Sequence, residues 1–132
     1  MSLNTKVIMK HETTIAVIKT IEKDIIRVCI KPDVEIVAAH LDENASIYKE
    51  ILGNEKGLFL VVFEEGGTSD QETRDKYGDK SRSKFKKAEA LVAKSLAHKI
   101  ESKFYKSYYK PEHPVELFSN EADAKEWLLT FK

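Results

Sequence analysis

Ala88-Glu-Ala-Leu-Val-Ala-Lys94 runs directly into Ser95, and the reading of this junction decides the fold. The run before Ser95 has the composition of a buried strand. Ser95 is an N-cap residue type, and behind it an amphipathic helix extends to the Lys110-Pro111 stop. A shorter strand follows at Pro114-Val-Glu-Leu-Phe118. Ser119-Asn120 then opens a last helix that ends in Trp127-Leu-Leu-Thr-Phe131. Strand, helix, strand, helix with short connections is the pattern of an α/β domain, a sheet covered by helices.

The same alternation extends toward the N-terminus. Thr13 to Ile21 and Asp24 to Lys31 are rich in Ile, Val and Thr, and the polar Glu22-Lys23 between them marks a hairpin. Pro32 ends the second strand, and Asp33 is an N-cap candidate for a helix carrying Val34, Ala38, Leu41, Ala45, Tyr48 and Leu52 on one face. Gly53-Asn54 closes it. Leu58-Phe-Leu-Val-Val-Phe63 suits a strand buried on both faces. Glu64 to Asp70 reads as a loop, and Asp70 to about Phe85 as a short helix interrupted near Gly78. In the helix after Ser95, Ala97, Ile100, Phe104 and Tyr108 form the stripe expected to pack on the sheet, with Lys99, Lys103, Lys106 and Lys110 toward water. Asn120 followed by Asp123 resembles a capping box, and Ala124, Trp127, Leu128 and Phe131 form the last apolar stripe.

The expected order is therefore β-β-α-β-α-β-α-β-α. It gives one mostly parallel sheet of about five strands with an antiparallel N-terminal edge, flanked by about four helices. A chain of 132 residues supports one domain. Residues 1–10 are expected to lie outside its fold.

Composition narrows function by exclusion. The 22 basic and 22 acidic side chains cancel, so no global field draws the chain to nucleic acid or to a membrane. No stretch approaches the length of a membrane span. The single cysteine, Cys29, lies in the apolar run Ile25 to Ile30 and reads as a buried, inert thiol in a reducing cytoplasmic compartment. His11, His40, His98 and His113 stand at no metal-site spacing, so neither metal nor cofactor is expected, and His113 reads as a loop residue. No activated nucleophile or acid–base pair can be named, and an enzyme is the least supported class.

One charge signal is local. Residues 80–110 carry a net charge of +8, with Phe104, Tyr105, Tyr108 and Tyr109 interleaved among the lysines. Such a stretch can hold single-stranded nucleic acid. A solvated helix face explains it more simply, and nucleic-acid binding stays the weaker alternative.

The pattern Ala88-x-Ala-Leu-Val-Ala-Lys-Ser95, Phe104-Tyr105, Lys110-Pro111, Pro114-Val-x-Leu-Phe118 and Glu121-Ala-x-Ala-x-x-Trp127-Leu128 resembles a group of small bacterial proteins akin to the SpoIIAA-like branch of the STAS superfamily. The resemblance covers Thr13 to Phe131. It implies a non-enzymatic regulatory module that works through a protein partner, with a homodimer as one form. Antagonists of this fold are switched by phosphorylation in the loop after the central strand. The matching residues are Thr68 and Ser69, although Glu64-Glu65 and Gly66-Gly67 depart from the family run. A loop with Ser69 or Asp70 as N-cap is the plain alternative. Ser95 is first an N-cap and second an anion or ligand contact. In open α/β sheets, ligands bind beyond the carboxyl ends of parallel strands. That rim would consist of Glu64–Asp70, Lys94–Leu96 and Ser119–Glu121. A second reading is a small-molecule or lipid binder, recognised by an apolar pocket under the C-terminal helices.

Overall fold

The computed structural model describes residues 10–21 and 24–132. Six strands form one sheet in the order β1-β2-β3-β5-β7-β8. β1 (Lys10–Glu12), β2 (Ala16–Ile21) and β3 (Ile25–Ile30) pair antiparallel. β3, β5 (Gly57–Phe63), β7 (Lys86–Ala93) and β8 (Val115–Phe118) pair parallel. The crossovers are α1 (Ala38–Leu52), α2 (Gln71–Tyr77) and α3 (Leu96–Phe104), and α4 (Glu121–Leu129) closes the fold. A short 3-10 helix, Lys80–Phe85, precedes β7, and a π-helical turn, Tyr105–Tyr109, extends α3. This is the expected α/β order, with β1 added at the edge. Lys10 lies in β1, paired with Lys19, so the fold begins one residue inside the range expected to lie outside it. Residues 1–9 of that range, and Glu22-Lys23 of the hairpin, fall outside the described residues.

Capping chemistry sets the helix starts. Asp70, Ser95 and Asn120 each accept the backbone N–H three residues on, at 2.8, 3.2 and 2.8 Å. The helix expected from Asp33 starts later. Asp33 takes a left-handed turn conformation (φ 57°), Glu35–Ile36 forms a short strand, β4, and the helix begins at Ala38. His40 Nδ1 accepts the Val37 N–H there at 3.1 Å.

β4 pairs in parallel with β6 (Thr68–Ser69), a two-residue strand after the Gly66-Gly67 turn. Gly66 and Gly67 have φ of 79° and 92°. A Cβ on Gly67 would stand 2.9 Å from the Val34 carbonyl oxygen, and one on Gly66 would stand 1.9 Å from Asp33 Oδ1. The turn therefore needs glycine for both torsion and space.

The two faces of the sheet are covered differently. α4 lies on a dry layer in which Ala88, Ala90 and Val92 of β7 meet Ala124 and Leu128. Small residues on both sides allow close approach. The other face carries Ile18, Ile26, Val28, Phe59, Val61 and Leu91 under α1 and the α2–α3 region. Cys29 belongs with the α4 layer and is half-buried, with its thiol pushed up by burial. Among the described residues no helix is long and apolar enough to cross a membrane.

Gly67→Ala should cost about 1–3 kcal/mol of stability by forcing the strained turn and opening β4 from β6. Urea unfolding of the two proteins measures it, and equal midpoints would show that the turn tolerates a side chain.

Candidate ligand-binding site

α3 is rotated from the orientation its hydrophobicity suggests. Leu96, Ile100, Phe104 and Tyr108 are exposed by 74, 58, 47 and 67%, and Ala97 is exposed too. The inward face instead carries His98, Ser102 and Tyr105. The stripe assigned to the sheet is thus largely exposed, and only Ile100 and Phe104 of it reach the edge of the cavity beneath α3. The reason is polar. Tyr105 donates its hydroxyl to Glu89 Oε1 at 2.5 Å, and the His98 ring stacks on Phe63 with centroids 5.0 Å apart. Tyr109, half-buried, donates to Asp75 Oδ1 at 2.6 Å and packs where Gly78 leaves no room for a Cβ. The aromatics of the basic stretch therefore do not make one stacking platform. Tyr105 faces the core, while Phe104 and Tyr108 stack on each other at the surface.

Glu89 is the centre of this face. It is fully buried in β7, and each carboxylate oxygen accepts two donors. Oε1 takes Tyr105 and His113 Nε2, the latter at 2.7 Å. Oε2 takes Tyr77 and Lys86 Nζ, the latter at 3.0 Å. Lys86 is as buried as its partner and lies 4.4 Å from the centroid of the Tyr77 ring. A register shift at Gly57/Leu58 leaves Lys87 without a partner in the ladder between β5 and β7. This extra residue reverses the side-chain alternation, so Lys86 and Glu89, three apart, share a face.

Burial opposes the Glu89 charge, but Lys86, His113 and Tyr105 outweigh it and hold the carboxyl well below its usual range. Lys86 is pushed down to about 8, by burial first and with Arg82 adding to it, against the pull of Glu89. Burial and the Glu89 charge push the Tyr77 and Tyr105 hydroxyls up.

His113 Nδ1 lies 2.6 Å from Ser83 Oγ, which also accepts the Glu112 N–H at 3.1 Å. His113 Nε2 carries a proton, because the carboxylate it meets only accepts. Ser83, His113 and Glu89 stand in the order hydroxyl, imidazole, carboxylate that nucleophilic catalysis uses. Here Ser83 is 5% exposed and ties the loop before β8 to the 3-10 helix. On its outer side a recess of about 350 Å³ is rimmed by Lys56, Lys80, Lys84 and Lys87.

Between the Glu89 cluster and the carboxyl ends of β3 and β5 lies a cavity of about 390 Å³. Ile15, Val28, Val61, Phe63 and Leu91 supply sheet walls, Leu41 and Tyr48 come from α1, and α3 covers it. Its volume is within the range of small-molecule sites. Three buried polar atoms on lining residues have no hydrogen-bond partner among the described residues: Asn44 Oδ1, Arg82 Nε and His98 Nδ1.

Of the residues singled out in the sequence, Thr68 and Ser69 lie in β6 at the cavity edge, where the Arg74 guanidinium bonds the Ser69 carbonyl. Asp70, not Ser69, is the N-cap of α2. Ser95 caps α3 and does not line the cavity. Ser119–Glu121 lies apart as well, with Glu121 paired to Arg27 at 2.8 Å. Glu89, Lys86, Arg82 and the role of His113 went unread. Their available signal was a Lys and a Glu inside an otherwise apolar strand. Among the described residues no His, Cys, Asp and Glu cluster could hold a metal.

A largely parallel sheet with an antiparallel edge and helices on both faces is the SpoIIAA-like α/β fold. A Shewanella loihica PV-4 protein of the DUF3478 family, described as having that fold, superposes with a TM-score of 0.57, covering 92% of this chain and 91% of its own at 12% identity. The chain itself belongs to the family described as Domain of unknown function (DUF7793), matched over residues 19–132. No curated protein matches it in sequence.

With Lys86 pushed down to about 8, the unfolded chain binds more protons than the native one between about pH 8 and 10, so stability from this group rises with pH there. Lys86→Met should lose that rise and cost about 3–5 kcal/mol at neutral pH by leaving a buried carboxylate short of a cation. Thermal unfolding across the window, compared as the difference between the two proteins, reads both effects. Parallel pH profiles would contradict the assignment.

Proposed function

We propose that this domain is a non-enzymatic binding module that encloses a small, predominantly apolar ligand beneath α3. The observation that carries the reading is the cavity itself, with apolar walls and three unpartnered buried polar atoms. Buried polar atoms are normally satisfied, and leaving one bare costs about 1–3 kcal/mol. A ligand with an apolar body and a few polar groups would remove that cost and fill the space. The cavity's place at the carboxyl ends of parallel strands agrees with the general site of open α/β sheets.

Native mass spectrometry of the purified protein should detect a co-purified small molecule, or binding of an added apolar probe. Val61→Phe, which places a ring into the cavity, should abolish that binding while the protein stays folded. Undiminished binding in the filled variant would remove this reading.

The outward apolar stripe of α3 favours a second reading, a regulatory module that meets a protein partner. Leu96, Ile100 and Phe104, 74, 58 and 47% exposed, forgo about 1–2 kcal/mol each of burial, part of which a partner surface could recover. Leu96→Glu, at a position 74% exposed and outside the cavity lining, should then weaken capture of that partner in a pull-down by roughly tenfold or more, with no loss of thermal stability. An unchanged set of captured proteins would count against it.

A further inference from the structure

We infer that the ligand's head group is a single carboxylate seated on Arg82, an inference that rests on the cavity reading above. Arg82 is 8% exposed and lines the cavity. Its guanidinium carbon lies 5.1 Å from the Tyr77 ring centroid and 5.3 Å from that of Phe85. Among the described residues it forms no ion pair, and its Nε has no hydrogen-bond partner. Buried charges are otherwise paired, so this one is exceptional.

The lysine, arginine and carboxylate charges around it leave one cation for one anion. Glu89 is the sole acid of the buried cluster, and Lys86 already pairs with it at 3.0 Å. Arg82 is then the excess cation. The remaining groups packed around it, Tyr48 of α1, Tyr77 of α2 and Tyr105 of the π-helical turn, have hydroxyls pushed up by burial and stay neutral. Nearer the solvent side, Arg74 and Glu101 contribute one charge of each sign and leave the imbalance unchanged. A monoanion neutralises the cluster, whereas a dianion would reverse its sign. A planar carboxylate matches the guanidinium fork, and the apolar walls suit the alkyl or aryl body of a monocarboxylic acid.

The test is calorimetric titration of the full chain with decanoate and with decanol, which share a body and differ in head group. Decanoate should bind at least roughly tenfold more tightly, the increment expected of a charge-assisted pair. In Arg82→Met that difference should vanish. Equal affinity of the two ligands for the unaltered protein would overturn the carboxylate assignment and leave the cavity reading standing. That comparison needs no folded variant. Failure of both ligands to bind, or binding of both unchanged in Val61→Phe, would overturn the cavity reading and this inference with it.

Discussion

The buried carboxylate of Glu89 is the constraint around which one half of the molecule is arranged. Four donors reach it from four places in the chain: Tyr77 of α2, Lys86 of β7, Tyr105 after α3 and His113 before β8. Ser83 adds the 3-10 helix through His113. An unsatisfied carboxylate at this depth would cost several kcal/mol, so the donors are held in place as strongly as the charge is held. At one end of this face α2 and the end of α3 are thus fixed to the sheet by polar bonds, whereas α1 is held by apolar packing. At the other end the β4–β6 pair and the Gly66-Gly67 turn fix α1 and the start of α2. The space between these two anchors is the cavity.

The contrast with the opposite face makes the point. Beneath α4, Ala88 and Ala90 of the strand and Ala124 of the helix let the two layers approach closely, as close-packed interiors require. Nothing there demands a polar contact in the middle of the layer. On the Glu89 face, large rings fill the far side. Tyr48 meets Phe59 edge-on at 4.9 Å, and both rings pack near Phe85. They stop short of the carboxyl ends of the strands. One sheet therefore supports a dry structural layer and a hollow one, and the difference follows from which residues β7 turns to each side.

Much of the fold was legible in the sequence because it rests on local rules. Apolar runs bounded by Pro and Gly gave the strands, and Asp70, Ser95 and Asn120 gave the helix starts through cap chemistry that depends only on neighbours. The cavity was named only as the mark of a rival reading; of its lining, the Gly66 to Ser69 edge fell in the rim read from the sequence, while the buried polar residues Asn44, Arg82 and His98 did not. Two of its causes are non-local. The bulge that puts Lys86 beside Glu89 is a mismatch between β5 and β7, invisible in either strand alone. The rotation of α3 contradicts its own periodicity. Its lysine stripe stays in water as read, but its apolar stripe is exposed too, and His98, Ser102 and Tyr105 turn inward because Tyr105 and His98 find their partners, Glu89 and Phe63, in strands elsewhere in the chain. Likewise His113 sits in a loop, as read, but the fold returns that loop to the buried charge.

The rotation of α3 also joins the two functional readings. A helix that buries His98 and Ser102 while exposing Leu96 and Ile100 gains little from packing, so its position depends on the few contacts at its ends and on whatever occupies the space below. Elements with sparse apolar contacts lie at the low end of local stability. A ligand in the cavity would add contacts to the inner face of α3 and to Ile100 and Phe104 at its edge, and none to Leu96 or Tyr108. It would thereby favour one placement of the helix by its differential affinity for that placement. The exposed stripe would then present a surface whose geometry reports occupancy.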